Sequence, residues 1–306
     1  MSAESPKFVM SRLKIPSVTP PWDLDAICYI PDNSRKSHPV IVMAHGWSAN
    51  KSMGLEPYAE AFSSLGYACV LFDYRRWGTS DGTPRHCVYV SEQLDDYRTV
   101  IKYCRQQAEF DPQRVILWGS SFSGGHITTL LSEHDLNISA GIAQCPWLGH
   151  GVSPPLNFTT FKLILWAIVD LLKQAIGLSP LYIEAAGDPS DVASLNASGT
   201  RDGMMSLVKD TSDYPNAVSA SSIFEFSSCK PYLTAGKIAC PFLIIALEED
   251  NLCYISAAQK VKRICSSAEV TILHGGHFEV YPGNRLHDAS LQAQIEFLQR
   301  VVPAYA

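Results

Sequence analysis

Short apolar runs that alternate with helical patterns constrain this chain more than any other feature. The runs occupy residues 40–45, 68–72, 114–118, 138–144, 242–247 and 270–274. Several are unbroken by polar residues, as strands covered on both faces must be. Between them the apolar residues change period. Leu94, Tyr97, Ile101 and Cys104 recur at helical steps, and so do Leu291, Ile295, Leu298 and Val302. Such alternation predicts an open, mostly parallel sheet with helices on both faces. Two weaker strand candidates, 8–15 and 24–30, suit an antiparallel edge.

The segment 150–229 breaks the alternation. It opens with Ser153-Pro154-Pro155, contains one strong helical pattern over 161–178, and is otherwise rich in Ser, Gly, Asp and Pro. We read it as a helical lid inserted between two sheet strands. Residues 1–149 and 230–306 then form one α/β core. A chain of 306 residues, 46% of them hydrophobic, can bury such a core.

Composition narrows the function. The net charge is −6 and no basic stripe is present, which argues against nucleic acid as a partner. The longest uncharged apolar stretch in the lid helix, 163–169, is far short of the roughly 20 residues a membrane span needs. Nine cysteines, an odd number, include no CxxC pair and no metal-ligand spacing. With a start that lacks the apolar core of a secretory signal, they predict a reduced, cytoplasmic protein without a metal site.

Chemistry enters at Arg114-Val-Ile-Leu-Trp-Gly-Ser-Ser-Phe-Ser-Gly-Gly-His126, an apolar run passing through small residues into a helical pattern. A nucleophilic serine on a strained strand-to-helix turn needs small residues two before and two after it. Ser121 has Gly119 and Ser123 there. Ser120 would have Trp118 and Phe122. Ser123 passes sterically but lies two residues farther from the strand, so Ser121 is favoured over it. A serine also needs a base, and the base an orienting acid. Behind such a turn the acid follows a later strand and the histidine comes last. The run 242–247 leads to Glu248, Glu249 and Asp250, and 270–273 leads to His274-Gly-Gly-His277. Asp250 lies farthest past its strand. Gly275 and Gly276 let the chain carry His277 away from the sheet, while His274 still ends the strand. The predicted catalytic set is Ser121, Asp250 and His277. Two backbone N–H groups should hold the oxyanion: that of Phe122, after the nucleophile, and that of Trp47, after His45-Gly46.

On these motifs, with Asp73-Tyr-Arg-Arg-Trp-Gly-Thr-Ser-Asp-Gly82, the chain resembles the α/β-hydrolase superfamily. The Ser-Phe-Ser-Gly-Gly-His elbow, Ala143-Gln-Cys-Pro146 and Gly276-His-Phe-Glu-Val-Tyr281 resemble a bacterial and fungal branch. That branch includes thiohydrolases and acyltransferases that release polyketide chains. The resemblance implies ester or thioester chemistry on a hydrophobic acyl substrate, free or held on a synthase carrier protein. Ser123 and Arg76 depart from the commonest superfamily pattern.

The expected reaction is attack by Ser121 on an acyl carbonyl, with His277 as base and no metal or organic cofactor. Water completes a hydrolysis, and an alcohol completes an acyl transfer. The residues alone do not separate these two outcomes. A binding protein on this fold would be expected to have lost a triad member, yet all three are present. In the lid helix, Lys162, Asp170, Lys173 and Gln174 share one arc and the rest is largely apolar. The helix should therefore pack deeply, line an acyl pocket or touch a membrane. Trp77, Trp147, Leu165, Trp166 and Ile168 are the candidate pocket residues.

Overall fold

The computed structural model describes residues 7–149, 157–210 and 214–305. Residues 150–156, with the Ser153-Pro154-Pro155 expected to open the insertion, lie outside them.

An eight-stranded sheet forms the centre. Its strands are β1 (Phe8–Pro16), β2 (Asp23–Pro31), β3 (His38–Ala44), β4 (Ala68–Phe72), β5 (Phe110–Ser120), β6 (Ala140–Gln144), β10 (Phe242–Leu247) and β11 (Ala268–Leu273), in the spatial order β1-β2-β4-β3-β5-β6-β10-β11. The pairs β1–β2 and β2–β4 are antiparallel, and the remaining pairs are parallel. The apolar runs read from the sequence are thus sheet strands, and the weak N-terminal pair is the antiparallel edge. Every residue of β3, β4, β6 and β10 is buried, because helices cover both faces. At the edge, β1 buries Ile15 and leaves most of its residues exposed.

Helices α1 (Glu56–Ser64), α2 (Val90–Cys104), α3 (Phe122–Leu130), α7 (Ile255–Ile264) and α8 (His287–Val301) connect or flank these strands. Register aligns the strand ends. Ala44 pairs with Gly119, Ser120 with Gln144, Gln144 with Ile245, and Leu247 with Leu273. The loops leaving β3, β5, β6, β10 and β11 consequently emerge along one edge, where ligands of open α/β sheets bind.

The segment between β6 and β10 is more ordered than its composition suggests. Helix α4 spans Phe158–Ala175, three residues upstream of the expected 161–178. Asn157 caps it by accepting from the Thr160 N–H at 2.8 Å, and Gly177, at φ 77°, lets the chain leave it. A second sheet was not expected. Its strands are β7 (Tyr182–Ala186), β8 (Ala193–Leu195) and β9 (Ala217–Ser219), in the order β8-β7-β9. At three to five residues, rich in Ala and Ser, these strands are too short and too weakly apolar to show a period. Two short helices, α5 (Thr200–Ser206) and α6 (Phe224–Ser228), complete the segment. None of the helices among the described residues is long and apolar enough to cross a membrane.

Candidate active site

Ser121 sits between β5 and α3 with φ 56° and ψ −120°, a conformation costly for any residue with a side chain. The turn is held from both sides. The Ser121 N–H donates to the Gln144 carbonyl at 2.8 Å, and the Trp147 N–H donates to the Ser121 carbonyl at 2.9 Å. Its small neighbours are required by space. A Cβ on Gly119 would lie 2.4 Å from the Ser123 carbonyl oxygen, and one on Gly46 would lie 2.8 Å from Cβ of Ser121.

The three clustered serines separate by surroundings. Ser120 is wholly buried and its hydroxyl lies 2.7 Å from that of Tyr281. Ser123 is wholly buried between the Tyr74 and Tyr97 hydroxyls, at 2.9 and 2.7 Å. Ser121 alone of the three lines the cleft at the sheet edge, with Gly46, Trp47 and His277.

The acids and histidines separate likewise. Asp250 and His277 are buried, with Asp250 Oδ2 2.7 Å from His277 Nδ1. Asp250 Oδ1 accepts from the N–H groups of Leu252 at 2.8 Å and Cys253 at 2.7 Å, which fixes the carboxylate beyond the end of β10. His277 opens a short helical turn, closed by the Gly276 N–H donating to Glu279. Burial pushes the His277 imidazole down, but the Asp250 carboxylate, together with the neighbouring Cys145 and Cys253, outweighs it and holds the imidazole well above the ordinary histidine range. His274, by contrast, is exposed and pairs with the exposed Glu248 and Glu249 at 2.9 and 3.5 Å. Three other histidines, His38, His45 and His126, are buried. Burial lowers His45, and burial together with His45 lowers His126 to about 3, so both stay neutral.

Phe122 begins α3, so its N–H has no partner within the helix and points out of the helix N-terminus. Trp47 is buried and borders the cleft. Its ring stacks on Phe226 of α6 at 3.9 Å and meets Phe122 edge-on at 4.9 Å, while its indole N–H donates to Ser194 at 2.9 Å. Behind this loop a buried network escaped the sequence reading. Asp73 accepts from the Lys51 N–H at 2.7 Å and from the Lys51 ammonium, which also meets Asp25 at 2.6 Å. The motif 73–82 thus braces the turn that carries Trp47. Arg76, the atypical residue there, has φ 73° and pairs with Glu92 at 2.7 Å.

Met53, Leu55, Leu195, Met204, Leu207, Leu252, Phe278 and Tyr281 give the cleft apolar walls. It is nearly closed, a space of about 20 Å³ that holds roughly one water. Trp77, Trp147, Leu165, Trp166 and Ile168, the candidate pocket residues, do not line it. Trp77 is buried with its N–H on the Cys87 carbonyl, and Trp147 donates to the Cys229 carbonyl and packs on Phe226. Leu165, Trp166 and Ile168 are exposed on α4. The segment reaches the cleft instead through Leu195 of β8, Met204 of α5 and Leu207 just beyond it. Cys145, part of the Ala143-Gln-Cys-Pro146 motif, was not singled out as a site residue. It follows β6 at φ 38°, with its thiol 3.9 Å from Nε2 of His277. Only its place just past a strand end, before Pro146, distinguishes it in sequence. Cys253 borders the same imidazole, and burial raises its thiol to about 12, which keeps it protonated near neutrality.

The family model Hydrolase_4, serine aminopeptidase S33, matches residues 35–281. The quorum-quenching protein AidA of Acinetobacter baumannii is 33% identical over 267 residues, covering 87% of each chain. The polyketide transferase ATR5 of Stachybotrys chlorohalonatus is 25% identical over 270 residues, covering 86% of this chain and 89% of that one. Further relatives carry the names acyltransferase and thiohydrolase. The solved α/β hydrolase GrgF from Penicillium sp. sh18 superposes with a TM-score of 0.79 at 20% identity, over 96% of this chain and 99% of that one, and so shares the fold. The chain therefore belongs to the Hydrolase_4 family of serine aminopeptidase S33 type and is an α/β-hydrolase enzyme.

Proposed function

We propose that the protein cleaves hydrophobic acyl esters or thioesters by nucleophilic catalysis from Ser121, with His277 as base and Asp250 as its orienting acid. The observation that carries this reading is one arrangement. A buried Asp250–His277 pair at 2.7 Å borders the cleft onto which the strained Ser121 also faces. Asp250 holds Nδ1, so Nε2 is the nitrogen available to take the Ser121 proton. Ser121 Oγ then adds to the acyl carbonyl, and the N–H groups of Phe122 and Trp47 receive the oxyanion. His277 returns the proton to the departing thiol or alcohol. Water frees the acyl group in the second half of the cycle by the same proton transfers in reverse order.

Residues 150–229 act as a cap in this reading, and the core is 1–149 with 230–306. Apolar walls suit an acyl chain, and the near-closed cleft requires the part of the cap bearing Leu195, Met204 and Leu207 to move when substrate enters. Nine unpaired cysteines, eight of them buried, suit a reducing compartment such as the cytoplasm. A polyketide chain, free or on a carrier protein, is the substrate class that the relatives' names suggest. Those names also favour a second reading, in which an alcohol replaces water as acceptor.

A panel of p-nitrophenyl esters and acyl thioesters of graded chain length, run with and without alcohols, tests both. Hydrolysis that strengthens with chain length fits the first reading. Product formation only with an alcohol present fits the second. Inertness toward the whole panel, with Ser121 unlabelled by a fluorophosphonate, would refute both.

A further inference from the structure

Helix α4 is turned inside out. Its acid, Asp170, is wholly buried and receives the Ser219 hydroxyl at 2.6 Å and the N–H groups of Leu181 and Ser221 at 2.7 and 2.8 Å. Gln174 joins the same network through Ser221 and Tyr89. The part of the polar arc that holds Asp170 and Gln174 therefore faces the protein, Lys162 and Lys173 stay at its outer margin, and most of the apolar arc faces out. A surface helix of a solitary globular protein has the opposite arrangement. Of the twenty exposed large hydrophobic residues among the described residues, ten fall within 158–178. Phe158, Phe161, Leu172 and Ile176 are each between 62 and 74% exposed. Together the ten present roughly 1,000 Å² of apolar surface, well above the 300–600 Å² of an ordinary monomer's largest patch.

We propose that this face is the interface between two copies of the chain. Area is the first reason. Pairing the face with itself would bury at most roughly 2,000 Å² in total, so even about two thirds of it falls within what specific interfaces use. Charge is the second. The exposed arc bears no carboxylate, and its two lysines, Lys162 and Lys173, stand to one side of the apolar centre. A second copy therefore meets a largely uncharged surface. A helix made for lipid surfaces carries a strongly basic polar face. Here only two lysines remain outside, the inward polar side holds an acid, and the chain's net charge of −6 is unfavourable toward anionic lipid. Shape is the third. Beside Trp166 an open hollow of about 490 Å³ is bordered by Tyr182, Ile183 and Val192, with Asn216 and the Arg201-paired Glu184 on its polar side. In a two-fold pair each copy would offer the other both a projecting apolar side chain and a hollow to receive it.

Sedimentation velocity on the full chain at micromolar concentration tests this. The wild type should run at twice the monomer mass. Phe161→Glu combined with Leu172→Glu should return it to the monomer without lowering its Tm, because both side chains are exposed. Should that variant melt early, Phe158→Ala is the gentler substitution and should weaken the dimer at least tenfold. A wild type that stays monomeric throughout the micromolar range overturns the proposal. So does a folded Phe161→Glu/Leu172→Glu variant that remains dimeric, since its interface would lie elsewhere. A monomeric wild type that floats with neutral phosphatidylcholine vesicles, while the variant does not, would overturn it in favour of a lipid surface.

Discussion

The strand ends and the segment between β6 and β10 obey different rules of placement. At the strand ends each candidate residue is a few positions from a buried strand, so the sheet register nearly determines its location. In the inserted segment the orientation of α4 is set by Asp170, whose partners Leu181, Ser219 and Ser221 are 11 to 51 residues away. Hydropathy predicts that a helix's apolar face turns inward. Here one satisfied buried carboxylate overrides that rule.

The largest effect should come from the first region. Ser121→Ala should lower kcat by about 10⁴-fold or more and abolish fluorophosphonate labelling, as loss of a triad serine does in other hydrolases. Ser123→Ala loses hydrogen bonds to Tyr74 and Tyr97 and should reduce stability while labelling persists. Labelling lost with Ser123→Ala and kept with Ser121→Ala would break the assignment.

Asp250→Asn should follow, costing about 10³- to 10⁴-fold in kcat. Its pH profile adds a sign. The base must be neutral to act, so kcat/KM should rise with pH through the His277 pKa, which Asp250 raises above the usual histidine value. In Asp250→Asn the residual activity should rise at lower pH than in the wild type. The exposed pairs provide the contrast, since His274→Ala and Glu249→Gln should stay within about twofold of wild type. An unshifted profile in Asp250→Asn would remove that carboxylate from its role.

How much of this was legible follows the same division. Ser121, Asp250 and His277 could be picked out because a strained turn, a strand-end acid and a glycine-flexed loop each leave a local mark. That Ser120 and Ser123 are buried on tyrosine hydroxyls, and that His274, Glu248 and Glu249 pair with one another at the surface, is information the sequence does not carry. Strands β7 to β9 left no mark, because three to five small residues carry no period. That Trp77 and Trp147 lie away from this cleft was not legible, because an indole ring reads the same whether it fills a core or borders a cleft. Leu195, Met204 and Leu207 were missed because contact with the cleft depends on how the whole segment folds back.

Asp170→Ala probes that folding back. It strands two backbone N–H groups and the Ser219 hydroxyl, at a cost of about 3 kcal/mol. Hydrogen exchange should show the segment opening while the central sheet stays protected. Burial pushes the Asp170 carboxyl up, but the hydrogen bonds from Ser219, Ser221 and Leu181 outweigh it and hold the pKa below the usual value. Its stabilisation is therefore complete above about pH 4 and is lost as pH falls through the lower, folded value. Equal exchange in both regions would mean that they unfold as one unit.

The smallest effects discriminate best between the two ways in which the segment could select substrate. If the cleft holds the acyl chain, each added methylene should raise kcat/KM about three- to fourfold, from roughly 0.8 kcal/mol of burial, until the walls are reached. Met204→Ala and Leu207→Ala enlarge the cleft, so the optimum should move to longer chains with short-ester turnover little changed. Leu165→Asn and Ile168→Asn lie on the exposed arc of α4, away from the cleft. They should leave the chain-length dependence as it is, even where they weaken self-association. Hydropathy alone predicts the reverse, with the α4 substitutions flattening the dependence and the α5 substitution at Met204 having no effect. A flattened dependence in Leu165→Asn at unchanged Tm would show that α4 swings over the cleft during turnover, and the closed cleft would then be a resting state. Unaltered optima in both Met204→Ala and Leu207→Ala would remove the segment from substrate selection and leave the acyl chain to Met53, Leu55 and Phe278 of the core.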